Sequence, residues 1–353
     1  MKKVLSLLIA VSAILAGCGS SESSSSAETS APAGTTASAQ TTEAAPAEAP
    51  RESVPGFKVS GTKLLDSKGN EFIMRGINHS HAWFANSDFS ALDAIDKTEA
   101  NTVRIVLADG EQWNRDTVAS INSLLKICKA FEMVAVLEVH DATGKDSVSD
   151  LEKAADFWID VKDALIGNED FVILNIANEW MGGWNSANWA KGYTKVIPKI
   201  REAGIKNTIM VDSAGWGQYG KCIRDKGKEV FESDPEKNTM FSVHMYGTSG
   251  KNESTIKDNL TGATDQDLCV CVGEFGYKHS DGDVDEKFIM DYCEDNGIGW
   301  LAWSWKGNGG GVEYLDLTAD WDGTMLSPEW GEVVVNGDKG LKATSKKCTS
   351  FAG

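Results

Sequence analysis

Two glutamates in this 353-residue chain stand where a carboxylate is costly. Glu179 follows Asn178 at the end of the apolar run "FVILNIA" (171–177), and the chain then breaks into "WMGGW" (180–184). Glu274 closes a second apolar run, "CVCVGEF" (269–275). A carboxylate taken out of water needs hydrogen bonds or a charge partner. Two such groups, one keeping its proton and the other its charge, do acid–base and nucleophilic work. Other polar and aromatic residues close similar runs. Arg104 lies in "NTVRIVL" (101–107), His140 follows "MVAVLEV" (133–139), and His79 follows "EFIMRGIN" (71–78). His244 and Tyr246 lie in "MFSVHMY" (240–246), and Trp303 and Trp305 in "GWLAWSW" (299–305).

These runs, with "NTIMVDS" (207–213), make eight strand-like segments. Their starts recur every ~30–38 residues, the length of a strand, a loop and a helix. Amphipathic helices are predicted between them, such as 118–131 and 189–204, the latter ended by Gly204. Apolar strands alternating with helices imply a parallel sheet covered on both faces. Eight units predict an α/β fold, a (β/α)8 TIM barrel with its site at the C-terminal strand ends. An open doubly wound sheet is the alternative, weakened because no Gly-rich phosphate loop follows the first strand. In the barrel, Glu179 ends the fourth strand and Glu274 the seventh, facing each other across one mouth, the carboxyl arrangement that cleaves a glycosidic bond. The indole rings fit, since the apolar face of a sugar stacks on an aromatic one. Alternation of faces pairs His244 with Tyr246, Trp303 with Trp305 and Glu274 with Val272; it turns Cys269, Cys271 and Gly273 toward the helices.

The net charge of −18 argues against nucleic acid, which requires clustered Lys and Arg. The chain opens with Lys2 and Lys3, a short apolar run and "LAGC" (15–18). That is a signal peptide (1–17) with a lipoprotein-type processing box, which implies a lipid on Cys18. Residues 18–54 read as a Ser/Ala/Thr-rich tether too poor in apolar groups to order itself, and 55–353 as the catalytic domain. The expected address is the outer face of a bacterial cell membrane. The six remaining cysteines form no zinc or disulfide pattern, and Cys269 and Cys271 are expected as buried thiols.

Seven ordered segments carry a resemblance: "RGINHSHAWF" (75–84), "EVHDATG" (138–144), "NEWMGGWNSANWAKGY" (178–193), "IPKIREAGIKNTIMVDSAGWGQY" (197–219), "NTMFSVHMYG" (238–247), "GEFGYKHSDGDVDE" (273–286) and "GWLAWSWKGNGGGVEYLDL" (299–317). From about residue 55 onward the chain resembles the bacterial endo-β-1,4-mannanases of glycoside hydrolase family 5. The resemblance implies a retaining mechanism, with Glu179 as acid/base and Glu274 as nucleophile. It implies substrate-binding or supporting roles for Arg104, His140, Asn178, His244, Tyr246 and Trp303, with Trp303 rather than Trp305 as the platform beneath the sugar. It implies a β-mannan-type polysaccharide as partner, and no cofactor or metal.

The remaining residues have plainer readings. "HSH" (79–81) has zinc-like residue types without an evident third ligand, so His79 is expected near the substrate instead. Asp141 and Asp212 are expected as hydrogen-bond partners. Trp83, Trp113, Trp184 and Trp216 divide between sugar platforms and packing; Trp158, Trp189 and Trp330 are packing. "DGDVDE" (281–286) lacks EF-hand spacing and reads as a solvated loop leading into a helix. One departure stands out: Gly247, Thr248 and Ser249 follow "HMY" where the related enzymes carry a Glu and an aromatic residue. An endo-β-1,4-glucanase and a non-catalytic sugar-binding lipoprotein are the alternatives. A monomer is expected.

Overall fold

Strands apolar on both faces have no solvent side and must be buried from both directions. The computed structural model, which describes residues 52–352, meets that demand by closing the sheet. The eight runs become β1 (Arg75–His79), β2 (Thr102–Leu107), β3 (Val134–Val139), β4 (Val172–Asn175), β5 (Ile209–Asp212), β6 (Thr239–Met245), β7 (Val270–Phe275) and β8 (Gly299–Ala302). All neighbours are parallel, and β8 pairs with both β7 and β1 to complete a barrel. A helix follows each strand: α1 (Asp88–Asp96), α2 (Val118–Ala130), α3 (Val148–Asp160), α4 (Ser186–Glu202), α5 (Lys221–Ser233), α6 (Glu253–Thr264), α7 (Glu286–Asp295) and α8 (Gly331–Asn336). The (β/α)8 expectation holds.

Local chemistry sets the helix ends. Thr117 and Ser120 satisfy each other's backbone N–H in a capping box, and α2 then buries Ile121, Leu124, Leu125 and Cys128. Asn185 accepts from the N–H groups of Ala187 and Asn188 to start α4. Past its end, Gly204 takes a left-handed φ of 92°.

Inside the barrel, Val134, Val136, Ile173, Met210, Met240, Cys271 and Leu301 form an apolar floor, with Phe57, Phe72 and Met74 joining the same cluster. The Phe57 carbonyl accepts from Thr208 and Asn238 at the starts of β5 and β6, so the N-terminal segment closes the lower end. Ser53 and Val54, at the edge of the expected tether, are bonded to Glu169. The signal peptide, Cys18 and the tether up to residue 51 lie outside the described residues. Above the floor the inward positions turn polar: Asn78, Arg104, Glu138, Asn175, Asp212 and His244 are all 0% exposed. Each such group has given up water, so each must find a partner within this layer.

Strand parity departs from expectation at β7. Val243 pairs with Val272, but His244 pairs with Glu274, leaving Gly273 as a bulge. Cys269 and Cys271 therefore face the barrel interior, and Val272 faces the helices. A Cβ on Gly273 would come 2.2 Å from Ser242 Oγ and 3.2 Å from His244 Nε2, so only glycine fits beside Glu274. Burial drives the Cys271 thiol pKa far up, and all six described cysteines are unpaired and buried. β8 ends at Ala302, so Trp303 and Trp305 do not share a face: Trp305 is buried in the outer core, and Trp303 stays partly open. The 281–286 run is exposed at Asp281–Asp283 and leads into α7 as expected, and it is also tied down. Gly282–Asp283 pairs with Lys278–His279, the Asp281 carboxylate accepts from Gly247 N–H, Thr248 N–H and Thr248 Oγ1, and Asp285 caps α7.

Candidate active site

Arg104 is the centre of the polar layer. From β2 its Nη1 donates to Glu274 Oε1 at 2.8 Å and to Asn78 Oδ1 at 3.0 Å. Nη2 donates to Asn178 Oδ1 at 2.7 Å, and Nε and Nη2 both reach Asn175 Oδ1. Glu138 and Asp212 lie 3.8 and 3.4 Å from it. Burial opposes its charge, but the carboxylates of Glu138, Glu274 and Asp212 hold the guanidinium protonated. The second oxygen of Glu274 accepts from the Tyr246 hydroxyl at 2.8 Å. A carboxylate receiving two such donors is stabilised as an anion.

Glu179 is held differently. It follows β4 in a left-handed conformation, φ 46°, which a non-glycine residue adopts only when its surroundings impose it. Here its N–H donates to Asp212 Oδ2 at 3.0 Å, and its carbonyl accepts from Gly144 at 3.3 Å. The turn aims the side chain inward, where Oε1 meets His244 Nδ1 at 2.9 Å, with 12% of the side chain still open. Burial raises the Glu179 pKa; the negative charge of Glu274 raises it further, against the hydrogen bond from His244. His244 itself, despite burial, is raised to about 10 by Glu274, Asp212 and Glu179. Its Nε2 lies 3.4 Å from Asp212, an ion-pair distance that falls short of a good hydrogen bond. Asp212 is held well below the usual carboxylate range: burial works against this, and His244, Arg104 and the Glu179 N–H outweigh it.

One oxygen of Glu179, one of Glu274 and a ring nitrogen of His244 all lie within 4.8 Å of one another. Their hydrogen bonds to Arg104, Tyr246 and each other already occupy this donor set. Burial also works against the charge of His140, but Glu138, bonded to its Nδ1 at 3.0 Å, raises its pKa. Arg104, His140 and His244, each with its pKa raised by neighbouring carboxylates, thus face the four carboxyl groups of Glu138, Glu179, Asp212 and Glu274.

The His140 ring lies 6.0 Å from Trp303 at an interplanar angle of 24°, and Trp83 meets it edge-on at 5.0 Å. Trp303 Nε1 is anchored on Asn308. Asn178 is engaged on both sides, accepting from Arg104 and donating to Thr143, which leaves one lone pair and one amide hydrogen free.

The sequence model described as Cellulase (glycosyl hydrolase family 5) matches residues 65–309, a span that contains all eight strands. The chain belongs to glycosyl hydrolase family 5. A family 5 relative, the mannan endo-1,4-beta-mannosidase of Salipaludibacillus agaradhaerens, is 54% identical over 296 residues, covering 84% of this chain and 96% of that protein. The solved beta-mannanase from Thermomonospora fusca superposes with a TM-score of 0.80 at 39% identity, covering 84% of this chain and 100% of that one. The beta-mannanase from Streptomyces thermolilacinus with mannohexaose gives 0.80 at 39%, covering 85% and 99%.

Of the residues expected in this family 5 site, Arg104, His140, Asn178, Glu179, His244, Tyr246, Glu274 and Trp303 come together. His79 does not. It ends β1 facing outward, where its Nε2 meets Asp88 at 2.9 Å, and burial lowers its pKa. Asp88 also contacts His81, whose other nitrogen meets Asp116; these bonds overcome burial and raise His81 to about 9. Asn78, one residue earlier, takes the inward position. Asp212 and Asp141 are both hydrogen-bond partners as expected, Asp212 within the polar layer and Asp141 toward the loop after β2, where it accepts from the Asp109 and Gln112 N–H groups. Sequence reasoning missed Asn78, Glu138 and Asn175. The available signal was polarity at alternate positions of otherwise apolar strands. Trp158, Trp189 and Trp330 are buried packing, and their indole N–H groups donate to the carbonyls of Ile176, Asp212 and Trp303, bracing backbone at strand ends.

Proposed function

We propose that this family 5 protein cuts internal β-1,4 linkages of mannan, glucomannan or galactomannan with retention of configuration. The observation that carries the reading is the close approach of Glu179 and Glu274 in opposite electrostatic settings. A retaining glycosidase needs its carboxyl groups only about 5–5.5 Å apart, so that one reaches the anomeric carbon directly. Glu274 Oε attacks that carbon while Glu179 passes its proton to the leaving oxygen, and a glycosyl ester forms. Water then enters, Glu179 takes its proton, the ester bond breaks, and Glu274 returns as carboxylate. Trp303 supplies an aromatic face for the sugar at the cleavage point, and the free amide hydrogen of Asn178 suits its 2-hydroxyl.

Mannan as substrate rests on the relatives, which are named mannan endo-1,4-beta-mannosidase and beta-mannanase. The family description, Cellulase, favours a second reading, an endo-β-1,4-glucanase using the same catalytic set. Incubation with linear mannan, glucomannan and soluble cellulose separates the two, with NMR reporting the first-formed anomer. Rapid release of β-configured oligosaccharides from mannan is expected. Faster cleavage of the cellulose overturns the substrate, and a first-formed α anomer overturns retention. A pure sugar binder would turn over none of the three.

The first 18 residues support a lipid-anchored form at the outer face of a bacterial membrane. No helix among the described residues is long and apolar enough to cross one. Replacement of Cys18 by Ser is expected to release the protein from the membrane fraction; an unchanged distribution sinks the anchor.

A further inference from the structure

Outside the catalytic layer, His81 has a carboxylate on each ring nitrogen. Its Nδ1 meets Asp88 Oδ2 at 2.8 Å, and its Nε2 meets Asp116 Oδ1 at 3.0 Å. A neutral imidazole donates from one nitrogen only, so two acceptor partners require the imidazolium. Only 7% of the side chain is exposed, and a charge so placed needs its anions close by. The two partners belong to different segments. Asp88 opens α1. Asp116 closes the loop after β2: its N–H donates to the Ala108 carbonyl, its Oδ2 accepts from the Ala108 N–H, and its Oδ1 also accepts from the Ser120 hydroxyl.

Each joined segment carries an indole. His81 begins a single helical turn, His81–Phe84, that holds Trp83, and the loop closed by Asp116 holds Trp113. The two rings meet edge-on at 5.4 Å, and they lie 5.0 and 5.7 Å from His140, whose own ring is stacked with Trp303. An open groove runs between residues 82–83 and 110–114, so its two walls are tied together through His81. We infer that His81 is a positioning residue: by donating to Asp88 and Asp116 together, it locks the segments after β1 and β2 to each other and fixes Trp83 and Trp113 beside His140. The inference rests on the mannanase reading only for its kinetic consequence, that the lock governs substrate affinity more than turnover.

The lock has an alkaline limit. The titratable groups around His81 are His79 from β1, Asp88 from α1, Asp116 from the loop after β2 and, next to Asp88, Cys128 from α2. Burial lowers the His79 pKa and drives the Cys128 thiol to about 12. Burial also opposes the charge on His81, but its bonds to Asp116 and Asp88 hold its pKa at about 9. Above that pH the ring keeps one donor for two carboxylates, and one side of the lock opens.

The test follows KM and kcat on mannohexaose from pH 7 to 10, together with the 15N signals of the His81 ring and of the Trp83 and Trp113 indoles. Both His81 nitrogens should be protonated at pH 7.5, and the two indole signals should move as the ring titrates. KM should rise in the same step by about 2–10-fold, the worth of one net hydrogen bond. His81→Gln should raise KM already at pH 7 with kcat little changed. Asp116→Asn is the sharper variant, because its amide can donate to a neutral His81 while its oxygen still accepts from Ala108. In that variant the alkaline rise in KM and the indole shifts should disappear. A neutral His81 ring at pH 7.5 would overturn the inference, as would equal alkaline changes with and without Asp116→Asn. Failure of the unsubstituted protein to cut mannohexaose would instead overturn the mannanase reading, and the NMR titration would still decide the lock.

Discussion

Glu274 stands within β7, its two oxygens taken by the Arg104 guanidinium and the Tyr246 hydroxyl. Glu179 stands beyond the end of β4, on a left-handed residue, with one side-chain contact to His244 and part of its surface open to the barrel mouth. Both are glutamates in one buried layer. The first is surrounded by donors that reward a negative charge; the second is desolvated beside another carboxylate, which rewards a proton. In the proposed reaction, environment rather than residue type would divide the work between them. Their backbones suit that proposed division: the ladder fixes the group assigned to attack, and the turn aims the one assigned to give a proton.

The sharpest way to break this comparison is to delete each carboxyl group and offer azide in its place. Glu274→Ala and Glu179→Ala should each lose about 10³-fold or more in turnover on oligosaccharides. With an activated aryl mannoside, azide should then give the α-glycosyl azide from Glu274→Ala and the β-glycosyl azide from Glu179→Ala, distinguishable by NMR. The same anomer from both variants would mean that the two glutamates do not occupy opposite roles.

Next in size is Arg104→Met. Glu138, Asp212 and Glu274 would lose their shared cation, and urea unfolding should show a loss of about 3–5 kcal/mol, as for any buried charge stripped of its partner. A stability change under about 1 kcal/mol would show that the layer does not depend on this guanidinium. Tyr246→Phe removes a single hydrogen bond to an anion and should slow kcat by about 10–100-fold with the fold intact. An equal loss for Tyr246→Phe and Tyr246→Ala would assign the effect to packing rather than to the hydroxyl.

The smallest effect concerns pH. His244 opposes the upward shift of Glu179, so His244→Asn should raise the Glu179 pKa and move the alkaline limb of kcat/KM upward. Stability carries the opposite signature. The folded-state pKa of His244 is raised to about 10 from 6.5. Its contribution is therefore complete below pH 6.5 and is lost as pH climbs toward 10. The unsubstituted protein should lose stability across that window more steeply than His244→Asn, as thermal unfolding at several pH values would record. Parallel curves would remove His244 from the account.

Much of the site was legible because its members end apolar runs. Glu179 interrupts a strand pattern with a charge, and Arg104, His244 and Glu274 do the same. His79 looked equivalent by that criterion, yet it faces α1 because the inward position at the end of β1 belongs to Asn78. Glu138 and Asn175 sit within their runs, as Arg104 does, where only the family resemblance, which marked Arg104 alone, or knowledge of the inward face would single a residue out. At β7 even correct alternation misleads, because the bulge at Gly273 resets it.

The amino-acid sequence by itself determined the eight apolar strands, their alternation with helices and the two carboxyl groups, since these follow from local periodicity and from charge placed against an apolar background. Tertiary structure alone decided which neighbour of Glu274 turns inward, which histidines reach the cleft, and that burial beside Glu274 pushes Glu179 toward its protonated form. Those outcomes depend on how one strand registers against the next and on the summed field of seven ionisable groups drawn from six strands and the segments that follow them, none of which a single segment contains.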